Sequence, residues 1–388
     1  WASGSTFDIL KKDAKPDIKM TRTISVTATA LPYLRRTIEH DPHWFYALTG
    51  VFPDGEFCLT PDMIKIVHGS RFLTVPKSAK TDRCIAAEPT GNAFLQHSVH
   101  TYMKRRLKRF GIDLDNQARN QELAKLAYTR GYATLDLSAA SDSISRELVF
   151  HLLPLEWAHL LDDLRSKYTR VNKQWVYTEK FASMGNAFCF ELETLIFYAL
   201  ASAVSNEDDT VVIYGDDIIV ESRVASELIE LLAVCGFTVN QSKSFVTGNF
   251  YESCGEHYHM GHSVTPVYQK ELVTTSSERV RMHNRLIRFG LTLPRDHALQ
   301  RKIFAISKWV IGTHPDRTRP LIPYGVEADD GYLVDPLRLL KVYCRNHGFK
   351  CRVLVWKVAH KAAFSEPALL AYKLRKPSYQ NSVSDGSA

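Results

Sequence analysis

Two adjacent aspartates, Asp216 and Asp217, stand between runs of residues that belong in a core. Val211-Val212-Ile213-Tyr214 precedes Gly215, and Ile218-Ile219-Val220 follows the pair. Neighbouring ionised carboxylates repel, and bringing them toward an apolar interior is costly unless positive charge joins them. A plain hairpin turn accounts for Gly and Asp without any chemistry, since both are common where a chain reverses. Metal binding is the sharper reading, because hard cations such as Mg2+ are held by a couple of carboxylates together with substrate phosphates. A second acidic strand end lies upstream: Asp136 closes Ala133-Thr134-Leu135-Asp136, and Asp142 follows six positions later. If the two strands are neighbours, their carboxylates converge across the sheet. Two ions ~3.5–4 Å apart between such carboxylates activate an attacking hydroxyl and stabilise a leaving oxygen in phosphoryl transfer.

The elements that must position these residues follow from local pattern. Residues 133–137 read as a strand from their β-branched and apolar content, and 143–153 carries a helical period. Glu191 to Val204 reads as a buried helix with two acidic residues, Glu191 and Glu193, on its early turns. The runs on either side of Gly215 are strands around a tight turn, and Ser226 to Phe237 is a helix closed by Gly236. Strands are expected at 242–248 and 251–261, and mostly helix from 271 to 375, where arginines are frequent. A helix-like stretch, His100 to Leu114, ends near Gly111. The closing residues Ser378 to Ala388 form a polar tail without the apolar content of a core. The layout is α+β, with short strands and amphipathic helices alternating from 129 to 260 and helical material on either side.

Composition sets wide bounds. The 388 residues suffice for two or three domain-sized cores, and 45% hydrophobic with 23% charged residues is ordinary for a globular chain. The net charge of +7 permits a polyanionic partner without demanding one. Seven scattered cysteines without a CxxC pair indicate reduced thiols and a cytosolic setting. The longest apolar neighbourhood, Phe188 to Val204, is interrupted by Glu191 and Glu193, so no membrane span is expected. The chain opens Trp1-Ala2-Ser3-Gly4-Ser5, with neither Met nor a signal-peptide pattern, and is expected to lack an N-terminal portion.

Three stretches in order, DLSAASDS (136–143), SMGNAFCFELETLIF (183–197) and YGDD (214–217), closely resemble motifs A, B and C of the RNA-dependent RNA polymerases of single-stranded RNA bacteriophages. VPKSAKTDRCIAAEP (75–89) is similar to the family's basic fingers motif, and NQSKSF (240–245) and FYESCGEHYHMGHSVTP (250–266) look like motifs D and E. The resemblance covers residues 71 to 270. It implies a right-hand architecture with an antiparallel palm sheet flanked by helices: fingers in 1–128, palm in 129–270, thumb and polar tail in 271–388. It also implies template-directed RNA synthesis with two Mg2+ ions, or Mn2+ in their place. Asp136 and Asp216 would hold the metals, with Asp217 beside them as an outer or partial ligand.

The resemblance gives other residues roles that compete with plainer ones. Asp142 would read the ribose hydroxyls of the incoming nucleotide with Ser141, although a residue just before a helix could simply cap it. Ser183, Gly185 and Asn186 would touch template and nucleotide; Ala187 and Cys189 stand where family members usually carry Gly and Thr, so one hydroxyl contact is lost. Lys77, Lys80 and Arg83 would neutralise the triphosphate, with Glu88 pairing one of them, though their spacing of three also suits a solvated face. Lys243 would donate a proton to departing pyrophosphate, where the plain reading is a surface lysine. Cys254, His257, His259 and His262 admit a zinc reading, against a supporting hairpin. Lys104, Arg105, Arg106, Lys108 and Arg109, with Tyr102 and Phe110 among them, form the densest basic patch; it suits a phosphate backbone or an exposed helix face. Arg279, Arg281, Arg285 and Arg288 carry the same ambiguity.

By the same resemblance the partners are RNA template and product and ribonucleoside triphosphates, in the cytoplasm of an infected bacterium. Some family members also recruit host elongation factors Tu and Ts and a ribosomal protein. A reverse transcriptase is the competing enzyme, disfavoured by Gly215, the 136–142 stretch and the basic fingers motif. An RNA-binding protein that keeps the fold without catalysis is the competing non-enzyme, and the intact Asp136/Asp216 pair speaks against it.

Overall fold

The apolar runs around Gly215 and Asp216 pair as an antiparallel hairpin, Val211–Tyr214 against Asp217–Glu221, with Asp217 opposite Tyr214. This arrangement is seen in a computed structural model that describes residues 4–55, 57–77, 81–269, 272–295, 297–314 and 319–339, with 344, 345, 348, 349, 351 and 353. Of the two loop residues only Gly215 has a positive φ, 63°, the pattern of a type II′ turn. A Cβ at Gly215 would also fall 2.3 Å from Cε2 of Phe190. Both the backbone and its neighbour therefore require glycine here.

Tyr132–Leu135 adds a third, antiparallel strand beside Asp217–Glu221, with Leu135 opposite Ile218. Because strand side chains alternate between faces, the sheet divides its apolar residues cleanly. Ala133, Leu135, Ile213, Ile218 and Val220 enter the main core with Leu192, Ile196 and Phe197 of the helix Cys189–Ala203. Val212 and Ile219 face the other way, onto Ala124 of the helix Ala118–Arg130 and onto Tyr258. Burial on both faces explains why these strands read as near-continuous apolar runs.

The chain changes partners at Asp136. Residues up to Leu135 pair with the 211–221 hairpin, whereas Leu137–Ser138 pairs with Thr238–Val239 in a separate two-stranded sheet. The 242–248 stretch expected as a strand is mostly turn. Only Phe245 bridges the sheet, exchanging backbone hydrogen bonds of 2.9 and 2.7 Å with Thr134. Asn240, Ser242 and Ser244 offer side-chain hydrogen bonds that replace a ladder. Phe250–Ser253 and Glu256–His259 form the expected hairpin, extended by His262–Ser263. A four-stranded sheet holds Asp82–Ala87, Ser70–Pro76, Tyr168–Val171 and Gln174–Tyr177 in that order. The helix after it runs Thr90–Arg109, starting ten residues before the expected His100.

Two compact units emerge: residues 4–75 with 83–265, and 76–82 with the described residues from 266 onward. In the second, the helix Ser276–Thr292 starts from a capping box of Thr275 and Glu278, and packs with Ala298–Gly312. Strands Leu321–Pro323 and Tyr332–Val334 pair in parallel, where sequence suggested helix. His283 ties the elements together through the carbonyls of Ser307 and Leu333, at 2.9 and 2.8 Å. Arg288 is engaged with Asp329 at 3.0 Å, so this arginine serves the fold. The polar tail lies outside the described residues. Among those described, no helix is long and apolar enough to cross a membrane, and six cysteines are free thiols.

Gly215→Ala is expected to cost about 1–3 kcal/mol in urea unfolding, from the ring clash and the left-handed backbone together. Adding Phe190→Ala should return part of that loss, and strictly additive effects of the two changes would refute the contact.

Candidate active site

Asp136 is wrapped by the 240–244 turn. Its N–H donates to Ser244 Oγ at 3.0 Å, and its carbonyl accepts from the Asn240 N–H at 2.8 Å. On the side chain, Asn240 Nδ2 donates to Oδ2 at 3.0 Å and Lys243 Nζ lies 3.8 Å from Oδ1. Burial raises the carboxyl's pKa above its usual range. Lys243 and Asn240 oppose that shift, and the charges of Asp216 and Glu252 add to it. Asp136 and Asp216 therefore lie within electrostatic reach of each other, as their strand ends required.

Asp216 sits at the hairpin tip, half-exposed. The tip is fastened to the buried helix: the Gly215 N–H donates to Thr194 Oγ1 at 3.1 Å, and that hydroxyl donates to the Phe190 carbonyl at 2.7 Å. Asp217 points to another element. Its Oδ1 accepts from the Cys254 N–H at 2.9 Å and from Ser253 Oγ at 3.1 Å, in the 250–259 hairpin. Burial, with the charges of Asp216 and Asp136 behind it, raises Asp217 to about 6.

Two further carboxylates belong to this cluster and were missed from sequence. Glu193, only 7% exposed, is raised to about 8 by burial and by the charges of Asp216 and Glu191. Glu252 acts on Asp136 from the neighbouring hairpin. Two carboxylates, Glu191 and Glu193, on the early turns of an otherwise apolar, buried helix are the sequence signal that points to Glu193. Glu191 has a separate partner, its Oε1 standing 2.9 Å from His100 Nδ1.

Asp142 lies in a single helical turn, Ala140–Ser143, and pairs with Lys180 at 2.6 Å. The capping role falls to Ser145, whose Oγ accepts from the Leu148 N–H at 3.1 Å. Ser141 is buried beside it. Cys189 connects this turn to the acidic cluster: burial raises its thiol, and the charges of Glu193 and Asp142 raise it further. In the 183–186 loop, Gly185 has φ 113°, and a Cβ there would fall 2.2 Å from the Ala86 carbonyl. That close approach accompanies a 2.8 Å hydrogen bond from the Ala86 N–H to the Met184 carbonyl. Ser183 accepts from the Asn186 N–H through its carbonyl, and Asn186, buried, accepts from the Phe188 N–H through Oδ1 at 3.1 Å.

The basic fingers residues are less fully placed. Arg83 is exposed on the strand Asp82–Ala87, Lys77 is exposed in the second unit, and Lys80 lies outside the described residues. Glu88 pairs with none of them in the described structure. It is buried, accepts from Ser166 Oγ at 2.5 Å, and is raised to about 7 by that burial. The zinc reading finds no support in the geometry: His257 Nε2 faces Glu252 at 3.2 Å, and among the described residues Cys254, His257, His259 and His262 do not gather as a ligand group. Among the described residues, no group of three or more His, Cys, Asp or Glu side chains is arranged to hold a metal ion unaided.

The family described as "RNA replicase, beta-chain" matches residues 1–347 of this chain. The chain belongs to that family. It is 38% identical over 358 residues to the RNA-directed RNA polymerase beta chain of Enterobacteria phage fr, covering 90% of this chain and 62% of that protein. The corresponding subunit of Escherichia virus Qbeta is 40% identical over 290 residues, covering 72% of this chain and 48% of its own length. Relative to these replicase subunits, the chain spans about half to under two-thirds of their length. Among solved structures, the RNA-dependent RNA polymerase of a human picobirnavirus aligns over 69% of this chain and 59% of its own, at 14% identity and a TM-score of 0.45.

Asp217, Glu88 and Glu193 hold their protons more tightly folded, at about 6, 7 and 8, than an unfolded carboxyl does. Their contribution is complete below the ordinary carboxyl range, near ~4, and is lost as pH rises through the folded values. Stability in chelator should therefore fall between about pH 4 and 8. Glu193→Gln should flatten that fall by up to roughly 1 kcal/mol per pH unit. Parallel urea-midpoint profiles for the two proteins would contradict the assignment.

Proposed function

We propose that this chain carries the catalytic centre of a template-directed RNA polymerase that copies a phage RNA genome. The observation that carries the reading is the mutual electrostatic reach of Asp136 and Asp216, brought from two strand ends of one sheet in a chain of the replicase beta-chain family. In this reading residues 1–128 act as fingers, 129–270 as palm and 271–388 as thumb and tail.

The donor set fits Mg2+. Carboxylate oxygens dominate the cluster, and Asp136, Asp217 and Glu193 are all raised by burial and by the charge of Asp216, so added cations would relieve the repulsion. An ion of this kind is held by a couple of carboxylates and completes its shell with water and substrate phosphates. Asp136 and Asp216 would be the ligands; the commitment of Asp217 Oδ1 to the 250–259 hairpin suits an outer role. When bound, two Mg2+ ions, or Mn2+ on the same oxygens, supply Lewis acidity to the attacking hydroxyl and the leaving phosphates.

The reaction is attack of the growing strand's 3′-hydroxyl oxygen on the α-phosphorus of a ribonucleoside triphosphate. A new P–O bond forms as the bond to the β-phosphate bridging oxygen breaks, and pyrophosphate leaves. Lys243, beside Asp136 yet half-exposed, is suited to give that leaving group a proton. Asp142, fixed by Lys180, reads the ribose hydroxyls over Ser141, and a 2′-hydroxyl offers both donor and acceptor to it. Ser183, Gly185 and Asn186 admit template and nucleotide against a backbone too close for side chains. Lys77, Lys80 and Arg83 neutralise the triphosphate.

Primer extension on a short template tests the assignment. Asp216→Asn should abolish extension while template affinity stays within about twofold; equal synthesis by both forms would overturn it. Lys243→Leu should slow single-turnover addition by about 10²-fold or more and leave nucleotide affinity nearly unchanged. A loss confined to nucleotide affinity would remove Lys243 from the proton-transfer role.

A further inference from the structure

The basic stretch on the helix Thr90–Arg109 is resolved into two parts by its neighbours. Lys104 stands 2.5 Å from Asp115 and Lys108 2.8 Å from Asp113, so these two lysines are neutralised by the loop that follows. Arg105, Arg106 and Arg109 remain exposed. Tyr102, Arg106 and Phe110 recur every fourth residue and so share one stripe of the helix. That stripe borders a groove of about 300 Å3, completed by Trp157 and floored by Met103, Leu107 and Leu195. The Tyr102 and Trp157 rings stack with centroids 5.4 Å apart and planes inclined by 24°. Tyr102 is 50% exposed and Phe110 68% exposed, so aromatic surface on this stripe faces solvent.

We infer that this groove binds single-stranded RNA, with bases stacked on the Tyr102–Trp157 pair and Phe110 and phosphates met by Arg106, flanked by Arg105 and Arg109. Exposed aromatic faces set in a cationic rim are what a flexible polyanion of flat bases requires. An apolar protein segment would fill the floor but leave the Arg106 guanidinium unanswered. No acidic residue lines the groove among the described residues, so nothing there repels a phosphate. The site is separate from the acidic cluster and shares with the polymerase reading only its class of ligand. It provides a second hold on a strand, template or product, away from the point of chemistry.

Fluorescence anisotropy of a labelled oligouridylate on the full chain, in chelator and over a range of salt, tests this. Trp157→Ala and Tyr102→Ala should each weaken binding about tenfold, and Trp157→Phe should stay within about twofold. Arg106→Ala should reduce the slope of log affinity against log salt by about 0.7. Extension of a short primed hairpin at saturating concentration should be unchanged in all of them. Affinity and salt slope unmoved by Arg106→Glu, an exposed position with little risk to folding, would overturn the proposal. So would Trp157→Ala altering sedimentation while RNA affinity holds, which would mark a protein-docking face. The two readings fail separately. Asp216→Asn abolishing extension while Arg106→Glu binds normally removes the groove alone; groove variants losing RNA in a chain that never extends a primer removes the polymerase alone.

Discussion

Repulsion among carboxylates that the backbone will not let separate is the constraint around which the first unit is arranged. Asp136, Asp216, Asp217, Glu193 and Glu252 act on one another, and Lys243 is the cation recorded beside Asp136. A fold keeps such a group together only where each carboxylate is fixed by something other than its neighbours. Each of the three aspartates sits on a differently secured piece of chain. The 240–244 turn secures Asp136, Thr194 and the ring of Phe190 secure the tip that carries Asp216, and the 250–259 hairpin secures Asp217. The apolar strands behind them, buried on both faces, supply the rigidity from which these charges are held out.

That division of labour accounts for the uneven character of the tetrad at 214–217. Tyr214 packs edge-on against Phe190 at 5.2 Å, Gly215 allows the turn, Asp216 faces the cluster and Asp217 ties the sheet to the next hairpin. Four adjacent residues thus serve four physical needs, and the two aspartates are unequal despite sharing a side chain. Burial makes the Asp217 carboxyl harder to ionise than an ordinary one.

Much of this was legible in sequence, for identifiable reasons. The hairpin at Gly215 and the strand ending in Asp136 follow from short-range pattern: β-branched runs, a turn glycine, a carboxylate where burial stops. The helix 189–203 follows from its apolar period. What escaped depended on contacts distant in sequence. Ser242 and Ser244 look like strand residues until the backbone of Asp136, more than a hundred positions away, is seen to use Ser244. Glu88 resembled a partner for nearby lysines, yet Ser166 is its partner. The basic run 104–109 looked uniform because Asp113 and Asp115 only cancel particular lysines once the chain turns back after Gly111. Parallel pairing of 321–323 with 332–334 lay beyond any local signal.

The change of sheet at Asp136 has a mechanical side. Leu137–Ser138 is bonded to Thr238–Val239, and the turn that carries Lys243 begins at the very next residue. Lysine and aspartate therefore ride on one rigid patch, while Asp216 is anchored to the helix 189–203. Because Leu135, one residue before Asp136, is paired with Ile218, two residues after Asp216, one continuous ladder also sets how far apart the two carboxylates stand.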